Sequence, residues 1–333
     1  MIDARVLVIG AGAIGGITAA LLHGAVSEVA VLDADTAHVA RLRDPGLVVK
    51  LLDGEVRRVR LAAVTSPAEL HGRYDFGLIA LKAPALEAAL RPLAGVGLVQ
   101  TFVSLGNGLV HDRIASIVGR ERLIVGTVEW GATNVGPGRL QQTTANPFVI
   151  GELEGPPSAR TLALASVLEP VAEVRVTHNV RGQLWSKLLV NSTLSGLGTV
   201  GGCTYAEVAA DPLGREAIFR VWREGFELGV AQALELEPVL GVQPAQLASD
   251  EPAVRSAALD VAIARAGATK ASMLQDLDRG RKTEVDVING GVVARARQMG
   301  REAPLNERMV AIVQGYERGE RSPSRDHFAQ VLA

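Results

Sequence analysis

The sequence predicts an α/β dinucleotide-binding domain over residues 1–178, followed by an all-α domain over residues 179–333. Three observations predict it. An apolar, β-branched run, Arg5 to Ile9, leads into Gly10-Ala11-Gly12-Ala13-Ile14-Gly15-Gly16 and then a helix-forming stretch, Ile17 to Leu22. A second strand, Glu28 to Leu32, ends in Asp33. Strand and helix patterns alternate up to Thr177, whereas only helical patterns follow Asn179, so the boundary is expected near Thr177–Arg181.

In a strand–turn–helix setting each glycine of Gly-x-Gly-x-x-Gly has a physical task. Gly10 turns the chain off the strand, and Gly12 lets backbone N–H groups reach a pyrophosphate. Ala13 and Ile14 open the helix whose positive end faces the phosphates, and Gly15 lets that helix pack against the sheet. An acid about 20 residues beyond the glycines, here Asp33, is where a ribose 2′-hydroxyl would be bound. Residues 5–33 thus read as the first βαβ unit of a Rossmann-type domain. No charge occurs between Val6 and Ser27, but the glycines and the lack of a basic leader argue against a membrane or secretory segment.

Asp35 can cap a short helix through Arg43, stopped by Pro45-Gly46. Asp53-Gly54 between Val48–Leu52 and Val56–Leu61 predicts a hairpin. Tyr74 to Leu81 is a buried strand ending in Lys82, and Pro84 opens a helix reaching Leu93. Leu98 to Ser104 leads to Gly106-Asn107-Gly108, with further strands at Leu123–Val125, Leu140–Thr144, Phe148–Ile150 and Glu173–Thr177, the last preceded by a helix to Leu168. In the second domain helices are expected over Gly182–Leu197, Pro212–Leu234, Pro252–Ala266 and Val285–Met299.

Composition narrows the function classes. Aromatic residues make up 4% of the chain and the net charge is −2, which argues against a nucleic-acid platform or a lipid-binding surface. The one cysteine, Cys203, excludes an internal disulfide, fits a reducing cytoplasm, and reads as a small buried hydrophobe. No His/Cys cluster has metal-ligand spacing, and neither a nucleophile elbow nor a Walker loop is present. Hydride transfer is the chemistry these residues support, without a metal, in a protein expected to be soluble and cytoplasmic.

Lys187, Asn191 and Ser195 recur every four residues, which on a straight helix stacks them on one face. Lysine there can donate a proton when burial lowers its pKa, although spacing alone is met more simply by a solvated stripe. Thr283 is placed to cap the following helix, which would put Glu284 in its first turn; Asp286 and Asn289 read as helix-surface or interdomain contacts. Lys82 and Asn107 follow strand ends, the edge of an open α/β sheet where ligands bind.

Taken together the chain resembles the ketopantoate reductase (2-dehydropantoate 2-reductase) family over almost its whole length. The most specific parts are Gly10 to Gly16, Leu81-Lys82, Asn107-Gly108, His178-Asn179-Val180-Arg181 with Leu184, Trp185, Lys187 and Asn191, and Ser272 to Asp276 with Thr283, Glu284 and Ile288 to Gly290. The resemblance implies that Lys187 is the general acid and that Glu284 hydrogen-bonds the substrate hydroxyl. It implies that Asn191 and Ser272 bind substrate, with Ser195 at a further substrate position. Lys82 and Asn107 would lie beside the nicotinamide and substrate. Pantoate-binding members carry asparagines where this chain has Ser195 and Tyr205, and an arginine commonly follows the second strand where this chain, after Asp33, has Ala34. The implied activity is NAD(P)H-dependent reduction of a small 2-oxo acid, nominally 2-dehydropantoate, as in pantothenate biosynthesis. Asp33 favours NAD(H), and Arg41 and Arg43 keep NADP(H) open. The changed positions support an alternative, an NAD-dependent D-2-hydroxyacid dehydrogenase acting on branched-chain or aromatic 2-oxo acids. The expected partner is that small molecule, not nucleic acid or a membrane, with a homodimer allowed.

Overall fold

The computed structural model describes all 333 residues and divides into two compact units. The first is Met1–Gly106 with Val110–Val180, and the second is Asn107–Leu109 with Arg181–Ala333.

The first unit holds twelve strands in two sheets: β1 (Ile2–Ile9), β2 (Val26–Leu32), β3 (Leu47–Lys50), β4 (Val56–Val59), β5 (Ala62–Val64), β6 (Tyr74–Ile79), β7 (Val99–Ser104), β8 (Leu123–Val128), β9 (Ala132–Gly136), β10 (Arg139–Gln142), β11 (Phe148–Glu152) and β12 (Val174–Val176). The larger sheet runs β12-β11-β8-β7-β6-β1-β2-β5, parallel throughout except where β11 pairs with β8. Strands of a parallel sheet are covered on both faces, which is why β1 and β6 read as continuous apolar runs and are buried along most of their length. Strand order reverses around β1, the kind of switch point where such sheets bind ligands at their carboxyl edge.

Helix α1 (Ala13–Leu22) explains the uncharged N-terminal run. It packs against β1 and β2 on one side and against β9 and β10 of the smaller sheet on the other, so it is apolar around most of its circumference. The smaller sheet runs β4-β3-β10-β9, and its β3–β4 hairpin turns at Asp53-Gly54. Strands β5 and β9 have no counterpart in the sequence reading: each is short, and β9 carries no buried residue to give it a pattern. Helices α2 (Thr36–Arg41), α3 (Leu86–Ala94), α4 (His111–Val118) and α5 (Ala159–Leu168) complete the unit. Asp35 caps α2 through the His38 N–H. Pro84 opens a short 3₁₀ turn, Ala83–Ala85, ahead of α3.

The second unit is helical: α6 (Val180–Val190), α7 (Gly196–Gly201), α8 (Tyr205–Ala210), α9 (Pro212–Ala231), α10 (Pro244–Leu247), α11 (Pro252–Ala266), α12 (Ser272–Leu277), α13 (Asn289–Gln298), α14 (Pro304–Glu317) and α15 (His327–Leu332). Its core gathers Trp185, Leu189, Trp222, Met273, Met309 and Phe328. The two indoles satisfy their N–H groups on backbone carbonyls, Trp185 on Gly225 and Trp222 on Pro244. No helix is long and apolar enough to cross a membrane.

Two helices depart from expectation. The helix expected over Gly182–Leu197 is interrupted by a π-turn, Asn191–Ser195. The helix expected from Val285 starts at Asn289 instead, and residues 284–288 form an irregular turn. The second change has a visible cause: the Val287 carbonyl accepts the Leu109 N–H at 3.1 Å and so is turned away from the bond that would continue a helix.

Candidate active site

In the first unit the glycine loop is fixed from several directions. Gly10 has φ +95°, and a Cβ there would lie 2.6 Å from Leu81 Cδ2. A Cβ on Gly15 would sit on the Gly10 carbonyl oxygen and 2.9 Å from Ala80 Cβ, so α1 lies against the strand edge as the motif requires. Gly12, the residue before α1, has open space where its Cβ would project and no side chain capping the helix. The N–H groups of Ala13, Ile14 and Gly15 have no intrahelical acceptor. An exposed, unobstructed helix N-terminus without a first-turn acid fits the pyrophosphate of a dinucleotide.

Asp33 does more than the sequence suggests. Its Oδ2 accepts the Ala11 N–H at 2.7 Å and its Oδ1 accepts the Asp35 N–H at 2.9 Å. The carboxylate remains half-buried, with lone pairs for a further donor. His38, which the sequence did not single out, completes the anchoring. Its Nδ1 accepts the Gly138 N–H at 3.2 Å, so Nε2 carries the proton and donates to the Ala11 carbonyl at 2.8 Å. The only sequence signal was a histidine in an apolar-flanked short helix. Of the two arginines near Asp33, Arg43 is committed to the Ala63 carbonyl and to Glu69, while Arg41 is exposed and carries no such bond. Lys82 is exposed and lies three residues beyond the β6 strand end, which falls at Ile79 rather than Leu81, immediately before the Ala83–Ala85 turn.

The remaining candidates fall in the second unit, Asn107 included. Asn107 Nδ2 lies 3.5 Å from Glu284 Oε2, and Gly108 has φ +73° with a Cβ position that would collide with the Val287 carbonyl. Together with the Leu109–Val287 bond, this hooks the Asn107–Leu109 loop onto the turn that carries Glu284. Glu284 is 5% exposed, an uncommon place for a carboxylate.

Helix α6 buries Leu184, Trp185, Ser186, Leu188 and Leu189 and leaves a half-buried stripe at Gln183, Lys187 and Asn191. Lys187 and Asn191 therefore share a face, one turn apart. Ser195 does not join them, which corrects the straight-helix expectation. The π-turn shifts the phase, and Ser195 is buried with its hydroxyl 2.5 Å from that of Tyr205. Burial pushes the Tyr205 phenol above its usual pKa. Ser272 opens α12 with an exposed side chain. Asn289 is corrected from a surface or interdomain contact to a fully buried residue that donates to the Ser192 carbonyl and to Asn306 Oδ1, both at 2.9 Å. Asp286 does lie on the surface, bonded to Gln314 and near Lys282. Cys203 is buried, and that burial raises its thiol pKa, so it is not poised as a nucleophile. No His/Cys/Asp/Glu group is arranged to hold a metal ion.

Chemically, the first unit offers a dinucleotide cradle. The second offers an ammonium and a carboxamide on one helical stripe, together with a buried carboxylate beside a second carboxamide.

Residues 6–155 match the family model "Ketopantoate reductase PanE/ApbA", and residues 179–317 match "Ketopantoate reductase PanE/ApbA C terminal". The chain is similar to the 2-dehydropantoate 2-reductase of Halobacterium salinarum, 26% identical over 311 residues that cover 93% of this chain and 97% of that one. It is also similar to that of Mesorhizobium japonicum, 28% identical over 341 residues covering 95% and 99%. Among solved structures, a D-mandelate dehydrogenase with NADH and anilino(oxo)acetate superposes with TM-score 0.81 at 24% identity, covering 95% of this chain and 99% of that one. A PanE/ApbA family ketopantoate reductase from Ralstonia eutropha gives the same TM-score, 0.81, at 24% identity and the same coverage, 95% and 99%.

Proposed function

Because the chain belongs to the ketopantoate reductase family, an oxidoreductase family acting on CH–OH groups, we propose that it reduces a small 2-oxo acid to the 2-hydroxy acid. The electron donor in this reading is a nicotinamide dinucleotide held at the Gly10–Gly15 loop, with NADH favoured by the Asp33 carboxylate. The observation that carries the reading is Glu284, a buried carboxylate within hydrogen-bond reach of the Asn107 amide. A carboxylate kept from water in this way is a strong acceptor for a substrate hydroxyl.

When bound, the reduced cofactor supplies a hydride to the carbonyl carbon. As the C=O electron pair moves onto oxygen, Lys187 Nζ stabilises the developing charge and donates the proton that completes the hydroxyl. Asn191, one turn along the same stripe, and Ser272 hold the substrate by neutral hydrogen bonds. Glu284 receives the hydroxyl hydrogen and orients it, and Lys82 and Asn107 complete the surroundings of the nicotinamide and substrate. The nominal substrate is 2-dehydropantoate.

A second reading is favoured by one contact. The buried Ser195 and Tyr205 hydroxyls bond each other, so one of their two donors is spent within the pair and these positions offer less polar recognition than two asparagines would. That suits a D-2-hydroxyacid dehydrogenase acting on branched-chain or aromatic 2-oxo acids, the reaction class of the D-mandelate dehydrogenase noted above. Measuring NADH oxidation across 2-dehydropantoate, branched-chain and aromatic 2-oxo acids decides between the two. A highest kcat/KM for 2-dehydropantoate supports the first reading, a preference for apolar side chains the second, and no turnover of any of them sinks both.

A further inference from the structure

We propose that Glu317 is the positioning residue for Glu284, acting through Thr283; the inference rests on the role given to Glu284 above. Glu317 is the last residue of α14, and its Oε1 accepts both the N–H and the Oγ1–H of Thr283, each at 2.7 Å. The Thr283 hydroxyl in turn accepts the Val285 N–H at 3.2 Å. One carboxylate oxygen thereby fixes the residue before Glu284 directly and the residue after it through a single relay.

Three features make this more than a helix-end contact. First, Glu284 lies in an irregular turn, so no helical ladder fixes its approach and outside anchors must do so. Second, an anion at a helix C-terminus is unfavourably placed against the helix dipole, so α14 gains nothing locally from an acid at this position. The donors of Thr283, a residue 2% exposed, offset that cost. Third, α14 is itself rigidly held at its other end. The Glu224 carboxylate accepts the Leu305 and Asn306 N–H groups, and Asn306 bonds Asn289 at the start of α13. Glu317 also lines an open cavity of about 620 Å³ with Arg281, Lys282 and Gln314, which keeps its charge solvated while Thr283 stays buried. On the far side of the turn, Asn107 and Leu109 supply the complementary hold.

The test uses the full chain with NADH and the best 2-oxo acid from the panel. Glu317→Ala is expected to lower kcat by about tenfold or more, the scale of a sub-ångström to ångström misplacement of a reacting group. NADH affinity should stay within about twofold, because the glycine loop is untouched. Glu317→Gln keeps an oxygen for both Thr283 donors and should recover kcat to within about threefold of wild type. Thr283→Val, which removes one donor and keeps the fold's shape, should show a smaller loss in the same direction. Hydrogen exchange at the Thr283 and Val285 amides should quicken in Glu317→Ala. Near-normal kcat in Glu317→Ala, or equal losses in the Gln and Ala variants, overturns the inference. If the wild type turns over no 2-oxo acid, the functional reading fails by itself, and unchanged exchange at Thr283 and Val285 still overturns the anchoring. Should Glu317→Ala fail to fold, Thr283→Val and Glu317→Gln carry the same comparison.

Discussion

Ala11 has no side-chain chemistry, yet both of its backbone groups are spoken for, the N–H by Asp33 and the carbonyl by His38. A loop that must present N–H groups to a phosphate cannot also reorganise at each binding event without losing affinity, so these two bonds act as pre-organisation. Replacing His38 with Ala removes its bonds to both Ala11 and Gly138, and through the lost hold on Ala11 should weaken NADH binding about three- to tenfold, which titration by fluorescence would read. At the reacting end, Lys187→Ala should lower kcat by about a hundredfold or more, the usual scale for a general acid, with NADH affinity unchanged. Near-normal kcat with normal NADH binding would remove Lys187 from the mechanism. A third residue reports on stability. Burial opposes the charge of Glu152, but hydrogen bonds from Arg160, Ser158 and Thr161 outweigh it and hold the carboxyl below its usual pKa. A lowered folded-state pKa means stability that is present above the unfolded value and lost as pH falls through the folded one. Glu152→Gln should therefore cost about 1.5–3 kcal/mol at neutral pH, with the gap to wild type closing below the ordinary carboxylate range in urea titrations.

At the scale of elements, the π-turn Asn191–Ser195 governs how the candidate site differs from a straight-helix reading. A π-turn leaves a backbone carbonyl without its usual partner, and Asn289 supplies one for Ser192 from 97 residues away. Asn289→Ala should strand that carbonyl in a fully buried place and destabilise the second unit by about 1–3 kcal/mol, read by denaturant unfolding. An unchanged midpoint would mean the turn needs no such support. This also marks where the sequence was readable. The β1–α1–β2 unit was legible because its information is local: apolar runs, glycines at fixed offsets, an acid at the strand end. The stripe of Lys187 and Asn191 was legible for the same reason. The burial of Ser195 was not, since spacing assumes a regular helix and the partner that meets the irregular turn, Asn289, lies 97 residues away. The start of α13 at Asn289 escaped likewise, because the Val287 carbonyl is taken by Leu109, a residue no local window includes. The anchors Glu317 and His38 are long-range or lack any repeating pattern, and only folding reveals them.

At the scale of the whole molecule, the labour divides by unit, with a dinucleotide cradle in the first and the proposed acid and carboxylate in the second. Family membership explains the architecture, while the proposed preference for NADH rests on a few atoms around Asp33. A 2′-phosphate needs cations. Here it would meet a carboxylate, Arg43 is committed to Ala63 and Glu69, and Arg41 alone is uncommitted. We expect kcat/KM for NADH to exceed that for NADPH by about tenfold or more, equivalent to ~1.4 kcal/mol. Asp33→Ala removes the repulsion but also releases the Ala11 and Asp35 N–H groups, so both cofactors should bind less well in that variant. The informative quantity is consequently the ratio. It should move toward NADPH in Asp33→Ala and return partway in Asp33→Ala combined with Arg41→Ala, because Arg41 is the remaining cation able to meet the phosphate. A wild-type preference for NADPH would overturn the assignment of Asp33 as the discriminating residue, and a ratio unmoved by Asp33→Ala would show that its carboxylate serves only to hold the loop.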